Sequence, residues 1–190
     1  MKIGIIVEGK NDYKALSVII KKIVKDDALE IFGAFKDGKT GIIHRKKLLS
    51  NKLKNQGCER VIIIRDSDGS KIDKLENKIR KAYSTTQISK IYELAFAIEE
   101  LESWFLSDEK SLINLYSLPN VTLSKLTSPD KIHSPKEKLK ECIDKHSKGE
   151  SQYLESDSLK IAELLDIDVV KSKSQSFAVF SKLITSTVSK

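Results

Sequence analysis

Two short runs of branched apolar residues decide which folds are open to this chain of 190 residues. Residues 2–7 read KIGIIV, and residues 60–65 read RVIIIR. Unbroken apolar runs of this length are typical of strands that are buried on both faces, as in a parallel sheet covered by helices. Each run is followed by a turn and then by residues with helical spacing. This pattern predicts repeated strand–helix units.

The same patterns predict the order of elements along the chain. Strands are expected at residues 2–7, 29–35, 60–65 and 91–98, and helices from about residue 11 and at residues 42–53 and 72–82. After the fourth strand we expect a short amphipathic helix at 99–106, a long loop or lid at 117–135, and helices at 136–143, 154–165 and 177–188. Ser174 and Ser176 provide N-cap chemistry for the last helix.

The expected fold class is therefore α/β, with a Rossmann-like parallel sheet flanked by helices and a C-terminal helical extension. We place the α/β core at residues 1–110 and the extension at residues 111–190, packed on or beside the core. A chain of this length suits one domain of ordinary size, or one domain with a helical appendage.

Other features narrow the class of protein. No apolar run approaches the ~18 residues of a membrane-spanning helix, so we expect a cytoplasmic protein without a membrane partner. Cys58 and Cys142 stand far apart without a Cys-x-x-Cys spacing, which predicts two reduced, buried thiols. For Trp104 we expect core packing rather than stacking on a base.

The net charge of +7 is unevenly distributed along the chain. Residues 1–85 contain 20 Lys and Arg against 11 Asp and Glu, whereas residues 86–190 contain 14 against 16. An excess of cations around a few fixed carboxylates suits a metal-dependent site for a polyanion, because the cations attract phosphate while the carboxylates hold the metal. The alternative is a lysine-rich surface that only confers solubility.

Acidic residues follow three of the predicted strands: Glu8 after the first, Asp66 and Asp68 after the third, and Glu99, Glu100 and Glu102 after the fourth. Neighbouring parallel strands bring such positions to one edge of the sheet, where ligands bind. Converging carboxylates repel each other unless a cation neutralises them, and an all-oxygen set favours Mg²⁺ or Mn²⁺. A phosphodiester is then the natural substrate.

Several of these acids also have plainer interpretations. Asp66-Ser67-Asp68-Gly69 occurs in ordinary turns, although its place after a buried strand favours function. It is not an EF-hand loop, because the required Gly and Glu positions do not match. Asp12 suits the positive end of a helix dipole. In a helix at 99–106, Glu99 and Glu102 share a face that can meet the site, while Glu100 faces solvent.

The string Val7-Glu8-Gly9-Lys10-Asn11-Asp12, followed by Ile62-Ile63-Ile64-Arg65-Asp66-Ser67-Asp68-Gly69, resembles the Toprim domain of topoisomerases, bacterial primases and overcoming-lysogenisation-defect nucleases. The resemblance implies that Glu8 is a general acid or base or a metal ligand. It also implies that Asp66 and Asp68 hold Mg²⁺, and that Asp12 is the extra acid of the nuclease branch.

A narrower resemblance covers most of the chain. Residues 99–108 (EELESWFLSD), with Pro135-Lys136-Glu137 and Ser174-Gln175-Ser176-Phe177, look like a prokaryotic Toprim-like family whose members are often encoded beside AAA-type ATPases. This resemblance implies a role in phage or plasmid defence, with an ATPase as a partner. A homo-oligomer is left open.

The leading hypothesis is a Mg²⁺- or Mn²⁺-dependent nuclease. Its catalytic residues are Glu8, Asp66 and Asp68, and its metal ligands also include Asp12, Glu99 and Glu102. Candidates to meet the phosphates of DNA or RNA are Lys10, Lys39, Arg65 and Lys71. The alternative is a non-catalytic module that binds nucleic acid or a partner protein. A phosphatase of the haloacid dehalogenase type ranks last. Most of those enzymes carry the Asp-x-Asp motif on their first strand, whereas in this chain the motif lies on the third predicted strand.

Overall fold

The computed structural model describes residues 1–35, 41–119 and 128–189. Within these ranges four strands form one parallel sheet in the order β2-β1-β3-β4. The strands are β1 (Lys2–Val7), β2 (Glu30–Phe35), β3 (Arg60–Asp66) and β4 (Tyr92–Ala97). Helices cover both faces of the sheet. The expected α/β class, with a parallel sheet flanked by helices, is therefore confirmed.

Helices link the strands and make up most of the second half of the chain. Those of the first half are α1 (Lys10–Val24), α2 (Gly41–His44), α3 (Lys46–Asn55) and α4 (Ile72–Tyr83). The later ones are α5 (Glu102–Phe105), α6 (Glu109–Tyr116), α7 (Pro135–His146), α8 (Ser158–Leu164), α9 (Ile167–Lys173) and α10 (Gln175–Val188). Short 3₁₀ segments occur at Pro129–Lys131 and Glu155–Asp157.

The branched runs form strands because alternate side chains are buried in two separate layers. Ile3, Ile5 and Val7 of β1 belong to one hydrophobic cluster, and Ile6 belongs to the other. The same alternation runs along β3. Both faces are covered, so residues 3–7 and 61–64 contain no polar side chain, as expected for a parallel sheet.

The first layer joins the sheet to α1 and to helices α5–α10. Trp104 is fully buried there, with its ring 4.9 Å from that of Phe180, and its Nε1 donates a hydrogen bond to Ser176 Oγ at 2.8 Å. Trp104 is thus a core residue, as expected. One cluster therefore spans both parts of the chain, and the division at residue 110 stays a prediction.

The second layer consists of α2, α3 and α4. Ile42, Leu49 and Leu53 pack there with Ile79 of α4 against the inward side chains of β1 and β3. Leu53 also fills the space above Gly4: a Cβ at Gly4 would lie 2.8 Å from a Leu53 methyl group. The close approach of α3 to β1 therefore depends on a glycine at this position.

Several element boundaries differ from the expectations. The helix expected at 42–53 is interrupted at Arg45 and forms α2 and α3. Helices α6 and α9 were not expected, and the helix expected from residue 154 begins at Ser158. The N-cap of α10 is as expected, because Ser174 Oγ accepts a hydrogen bond from the Phe177 N–H at 3.1 Å.

Three further expectations concern the whole molecule. Cys58 and Cys142 are both free and buried, as expected. No helix in the three described ranges is long and apolar enough to cross a membrane. The turn expected at 36–39, and residues 120–127 of the loop or lid expected at 117–135, lie outside the described residues.

Candidate functional site

The site lies where the chain changes direction across the sheet. From β1 the chain first crosses to β2 on one side, and β3 and β4 lie on the other side. The connections leave this point in opposite directions, which opens a crevice at the carboxyl ends of β1 and β3. Glu8 directly follows β1, and Asp66 ends β3. The two acids therefore stand side by side at the usual ligand position of an open α/β sheet.

Six carboxylates line one cavity of about 280 Å³ at this edge. Five of them come from three separate segments of the chain, and we call these the carboxylate pocket: Glu8, Asp12, Asp66, Glu100 and Glu102. The sixth is Glu155. Among the described residues that line the cavity, one is a cation, Lys136. The arrangement therefore concentrates negative charge in a small space.

The first turn of α1 orients Glu8 and Asp12. The Gly9 N–H donates a hydrogen bond to Asp12 Oδ2 at 2.9 Å, so Asp12 closes the start of the helix. Gly9 has an extended backbone with φ −125°, a conformation that does not itself require glycine. Its role is steric, because a Cβ at Gly9 would lie 3.1 Å from the Asp12 carboxylate.

Arg65 pairs with Glu8 at the far wall of the crevice. The Arg65 Nη1 to Glu8 Oε1 distance is 3.4 Å, and the two side chains are 10% and 18% exposed. Arg65 Nε has no hydrogen-bond partner within the described residues. The guanidinium therefore holds Glu8 in place while keeping a donor unused on its other edge.

Burial and the neighbouring charges both oppose the ionisation of Asp66. Burial raises its pKa well above the usual value, and the charges of Asp12, Glu102, Glu8 and Asp68 raise it further, in that order. Four carboxylates thus oppose the ionisation of a fifth. This is the electrostatic pattern that a bound cation would relieve.

Glu102 is held by a tyrosine from the second half of the chain. It is 8% exposed, and Tyr153 Oη donates a hydrogen bond to Glu102 Oε1 at 2.9 Å. Tyr153 also lies 3.0 Å from Ser158 Oγ. Burial raises the pKa of Glu102, and the hydrogen bond from Tyr153 partly offsets the shift. The hydroxyl therefore fixes one carboxylate oxygen and leaves the other for the pocket.

Glu100 meets the start of α7. The Lys136 N–H donates a hydrogen bond to Glu100 Oε2 at 2.9 Å, and the Lys136 ammonium pairs with Glu155 at the rim. Burial alone lowers the pKa of Lys136, but the hydrogen bond to Glu155 and the nearby Glu102 and Glu100 charges outweigh it and raise the pKa. Lys136 therefore stays charged beside the carboxylates.

Glu99 was expected to share a helical face with Glu102, and Glu100 was expected to face solvent. Both expectations were wrong. Glu99 adopts φ 59° and precedes α5, so it shares no helical face with Glu102. Its carboxylate lies near Gly69 and 3.8 Å from His133 Nδ1. Glu100, expected in solvent, lines the pocket instead. The cause is backbone geometry, because α5 begins three residues later than the spacing indicated.

Asp68 lies beside the carboxylate pocket rather than in its lining. It has φ 47°, and its N–H donates to the Glu99 carbonyl at 3.0 Å. Ser67 Oγ accepts a hydrogen bond from the Glu99 N–H at 2.7 Å, which joins the ends of β3 and β4. Asp68 and Glu99 therefore form a second acidic wall next to the pocket.

The candidate phosphate contacts fall in different places. Lys10 and Lys71 are exposed at the starts of α1 and α4, where they can reach a ligand at the edge of the sheet. Arg65 contacts Glu8. Lys39 lies outside the described residues. No measured contact assigns phosphate binding to these side chains, and this role stays a prediction.

Sequence reasoning missed Lys136, Tyr153, Glu155 and Ser158, and it assigned Glu100 to solvent. Tyr153 lies 51 residues after Glu102, and no spacing rule connects them. A usable signal existed only for Lys136, which stands in the Pro135-Lys136-Glu137 string.

The donor set of the pocket fits a hard divalent cation. All five groups are carboxylates, and the pKa of Asp66 is raised by its burial and by the other charges. Within the described ranges, no three His, Cys, Asp or Glu side chains already stand close enough to hold a metal together. Mg²⁺ does not require such a group, because it keeps several waters and usually takes only one or two carboxylates.

Comparisons with known proteins give a family but no activity. A family model described as "Domain of unknown function (DUF4276)" matches residues 7–184, which include the whole carboxylate pocket and all the helices through most of α10. Neither the curated proteins nor the solved structures contain a match.

Proposed function

The chain belongs to the DUF4276 family, a domain of unknown function, and from its carboxylate pocket we propose that it is a Mg²⁺- or Mn²⁺-dependent hydrolase of nucleic-acid phosphodiesters. One observation carries the proposal: five carboxylates converge at the switch point of a parallel sheet, around a cavity lined by one lysine among the described residues. A purely structural role leaves the repulsion at Asp66 without a compensating gain.

The metal would be held by carboxylates from β1, β3 and the segment after β4. Glu8 and Asp66 are the central candidates, with Asp12, Asp68, Glu100 and Glu102 around them. A bound Mg²⁺ or Mn²⁺ supplies a Lewis acid for a phosphodiester oxygen and lowers the pKa of a coordinated water. The resemblance of these strings to the Toprim domain supports the same assignment.

The remaining groups orient the acids and receive the substrate. Arg65 fixes Glu8 by an ion pair, and we assign to Glu8 the acceptance or delivery of a proton. Tyr153 fixes Glu102. The Lys136 ammonium can leave Glu155, which is 61% exposed, and meet a phosphate oxygen instead. These residues thus cover proton transfer, carboxylate positioning and charge neutralisation.

A non-catalytic binding module is the second candidate, and one observation favours it. Glu8, Glu100 and Glu102 each have a described partner within the protein, namely Arg65, the Lys136 N–H and Tyr153. Carboxylates held in this way also stabilise a fold without any reaction. The two candidates make different predictions for Glu8. A hydrolase needs its carboxylate for cleavage, whereas a binding module does not.

A cleavage assay separates them. Labelled single-stranded and duplex DNA and RNA are incubated with the protein in Mg²⁺, in Mn²⁺ or in a chelator. Glu8→Gln should lower metal-dependent cleavage by about 10²-fold or more, because the amide cannot transfer the proton. Nucleic-acid binding should persist, since the substitution adds no charge that repels phosphate.

Glu30→Gln is the matched control, because Glu30 is an exposed acid at the opposite end of the sheet. It should cleave like the wild type. Binding without cleavage by the wild type under every condition, with Glu8→Gln behaving identically, would contradict the hydrolase and favour the binding module. An ATPase encoded beside the gene, where present, is added as a separate arm.

A further inference from the structure

Helix α3 carries a strongly basic face that the proposed site does not use. Residues 41–58 contain five Lys and Arg and no Asp or Glu. Four of the five are exposed, and we call Arg45, Lys47, Lys52 and Lys54 the α3 basic surface. Leu48 lies among them and is 63% exposed. The opposite side of α3, with Leu49, Ser50 and Leu53, is buried in the second layer.

The four cations form two rows along the helix. Lys47 and Lys54 are seven residues apart, which places them on one line about 10 Å apart along the axis. Arg45 and Lys52 form a second line on the other flank. Between the rows stand Leu48, Asn51 and Asn55, which are all exposed. The outward half of α3 is therefore a neutral crest between two basic flanks.

No acid within the described residues compensates these charges. None of the four forms an ion pair there, and α3 has no acid in its first turn. Lys52 lies over the Phe35 ring at 5.6 Å, a contact that leaves its charge in place. Cations in the first turn also oppose the helix dipole. Such a local conflict points to a use outside the fold.

Helix α7 shows what an ordinary lysine-rich helix in this protein looks like. Lys138 pairs with Glu141 at 3.0 Å, and Lys140 pairs with Glu137 at 2.9 Å. Two of its four lysines are thus paired with acids of the same helix. The α3 basic surface has no such pairs among the described residues, so the difference between the helices is not a general abundance of lysine.

We propose that the α3 basic surface binds duplex DNA, with its two rows on the phosphates of the two strands and its crest facing the major groove. A helix with its side chains measures about 10–12 Å across, and the major groove of B-DNA is about 12 Å wide. The inference rests on the proposed function for the class of substrate. It adds the form of that substrate and the surface that holds it.

Other anionic partners fit this surface less well. A membrane-binding helix needs an exposed apolar face, whereas the apolar face of α3 is buried and Leu48 alone is exposed. The major groove of an RNA duplex is too deep and narrow for a helix. An acidic protein surface rarely presents two parallel rows of charge, which a duplex always does.

The position of α3 is compatible with delivery of DNA to the carboxylate pocket. Leu53, near the end of the helix, packs on Gly4 and in one cluster with Val61 at the starts of β1 and β3. In a parallel strand–helix–strand unit the helix runs against the strands. The first turn of α3, with Arg45 and Lys47, therefore lies closer to the carboxyl edge than its last turn.

The test compares Lys47→Glu/Lys54→Glu with Lys171→Glu/Lys182→Glu, which makes the same charge change at exposed lysines of α9 and α10. Affinity for a duplex DNA oligonucleotide is measured between ~50 and ~200 mM salt. The α3 variant should bind at least about tenfold more weakly, and its plot of log affinity against log salt should be shallower by about 2. The control should lose far less affinity and keep the wild-type slope.

Folding is checked by circular dichroism, and Lys47→Gln/Lys54→Gln should show a smaller loss in the same direction. Wild-type protein that fails to bind duplex DNA at low salt overturns the proposal, as do equal losses in the two charge-reversal variants. Equal or tighter α3-dependent binding to duplex RNA, an acidic peptide or anionic vesicles also overturns it.

Mn²⁺ binding, followed by thermal shift, should be unchanged in the α3 variant. DNA binding that depends on α3, without any cleavage, removes the hydrolase but keeps this inference.

Discussion

The carboxylate pocket and the α3 basic surface pose opposite electrostatic problems within one small fold. In the pocket, burial and the converging negative charges raise the pKa of Asp66. On α3, positive charges are spread along an exposed helix without acids of their own. The pocket has an excess of negative charge and the α3 basic surface an excess of positive charge. The two regions lie in different parts of the molecule. We infer that external ions, a metal cation and a polyanion, complete both.

The largest expected effect concerns metal-dependent stability. At a Mn²⁺ concentration of about 100 times the dissociation constant, binding should stabilise the wild type by about 2.7 kcal/mol. Asp66→Asn/Asp68→Asn should lose most of this gain, whereas Asp73→Asn/Asp144→Asn, at exposed acids, should keep it. Thermal unfolding with and without Mn²⁺ measures the difference. Equal gains in both variants would place the metal elsewhere.

The second effect concerns the support of the pocket. Tyr153→Phe should reduce the free energy of unfolding by about 1–3 kcal/mol at neutral pH, because the buried Glu102 carboxylate loses its donor. In Glu102→Gln the same tyrosine substitution should cost less. Denaturant unfolding of the four proteins in this double-mutant cycle gives the coupling energy. Additive losses would mean that the hydroxyl does not act through Glu102.

The third effect is a gain in stability. Without metal, Asp66→Asn should be more stable than the wild type by on the order of 1 kcal/mol at neutral pH, because it removes a buried like charge. The pKa of Asp66 is raised in the folded state above its unfolded value of about 3.9. Stability of the wild type is therefore full below that unfolded value and falls as pH rises through the raised pKa.

This pH dependence provides the check. Unfolding is followed in a chelator between about pH 4 and 8, where the substitution should flatten the decline. A variant that is less stable than the wild type across this whole range would show that Asp66 is stabilised by partners rather than opposed by its neighbours.

The smallest effect contrasts the two lysine-bearing helices. Lys140→Ala should cost about 0.3–0.5 kcal/mol at low salt, because it breaks the pair with Glu137. Lys47→Ala should cost nothing measurable or be slightly stabilising. Thermal unfolding at low and high salt resolves the two. A loss at Lys47 that equals the loss at Lys140 would indicate a hidden partner for Lys47 and weaken the contrast.

Much of the sheet could be predicted from the sequence, for a physical reason. β1 and β3 are buried on both faces, so nearly every position is apolar and the signal is local. Because chain order brings neighbouring strand ends together, the sequence also indicated that Glu8 and Asp66 meet. Helices α6 and α9 are short, with eight and seven residues, and gave too few turns to show a clear period.

The rest of the pocket depends on contacts that no local pattern encodes. Tyr153 and Lys136 reach it through the packing of the later helices on the first layer. The exchange of Glu99 and Glu100 arises from one residue with positive φ, a conformation that propensity alone does not favour for Glu. The sequence therefore indicated which edge of the sheet to inspect, and tertiary packing decided which side chains complete it.

The sharing of the first layer between α1 and helices α5–α10 has a consequence for biosynthesis. A nascent chain that has emerged through α5 possesses every strand and α1 but lacks helices α6–α10, which complete the cover of one face of the sheet. Its Glu102 has no Tyr153, and its Glu100 has no Lys136. The pocket can therefore acquire these two contacts only after translation of the later helices.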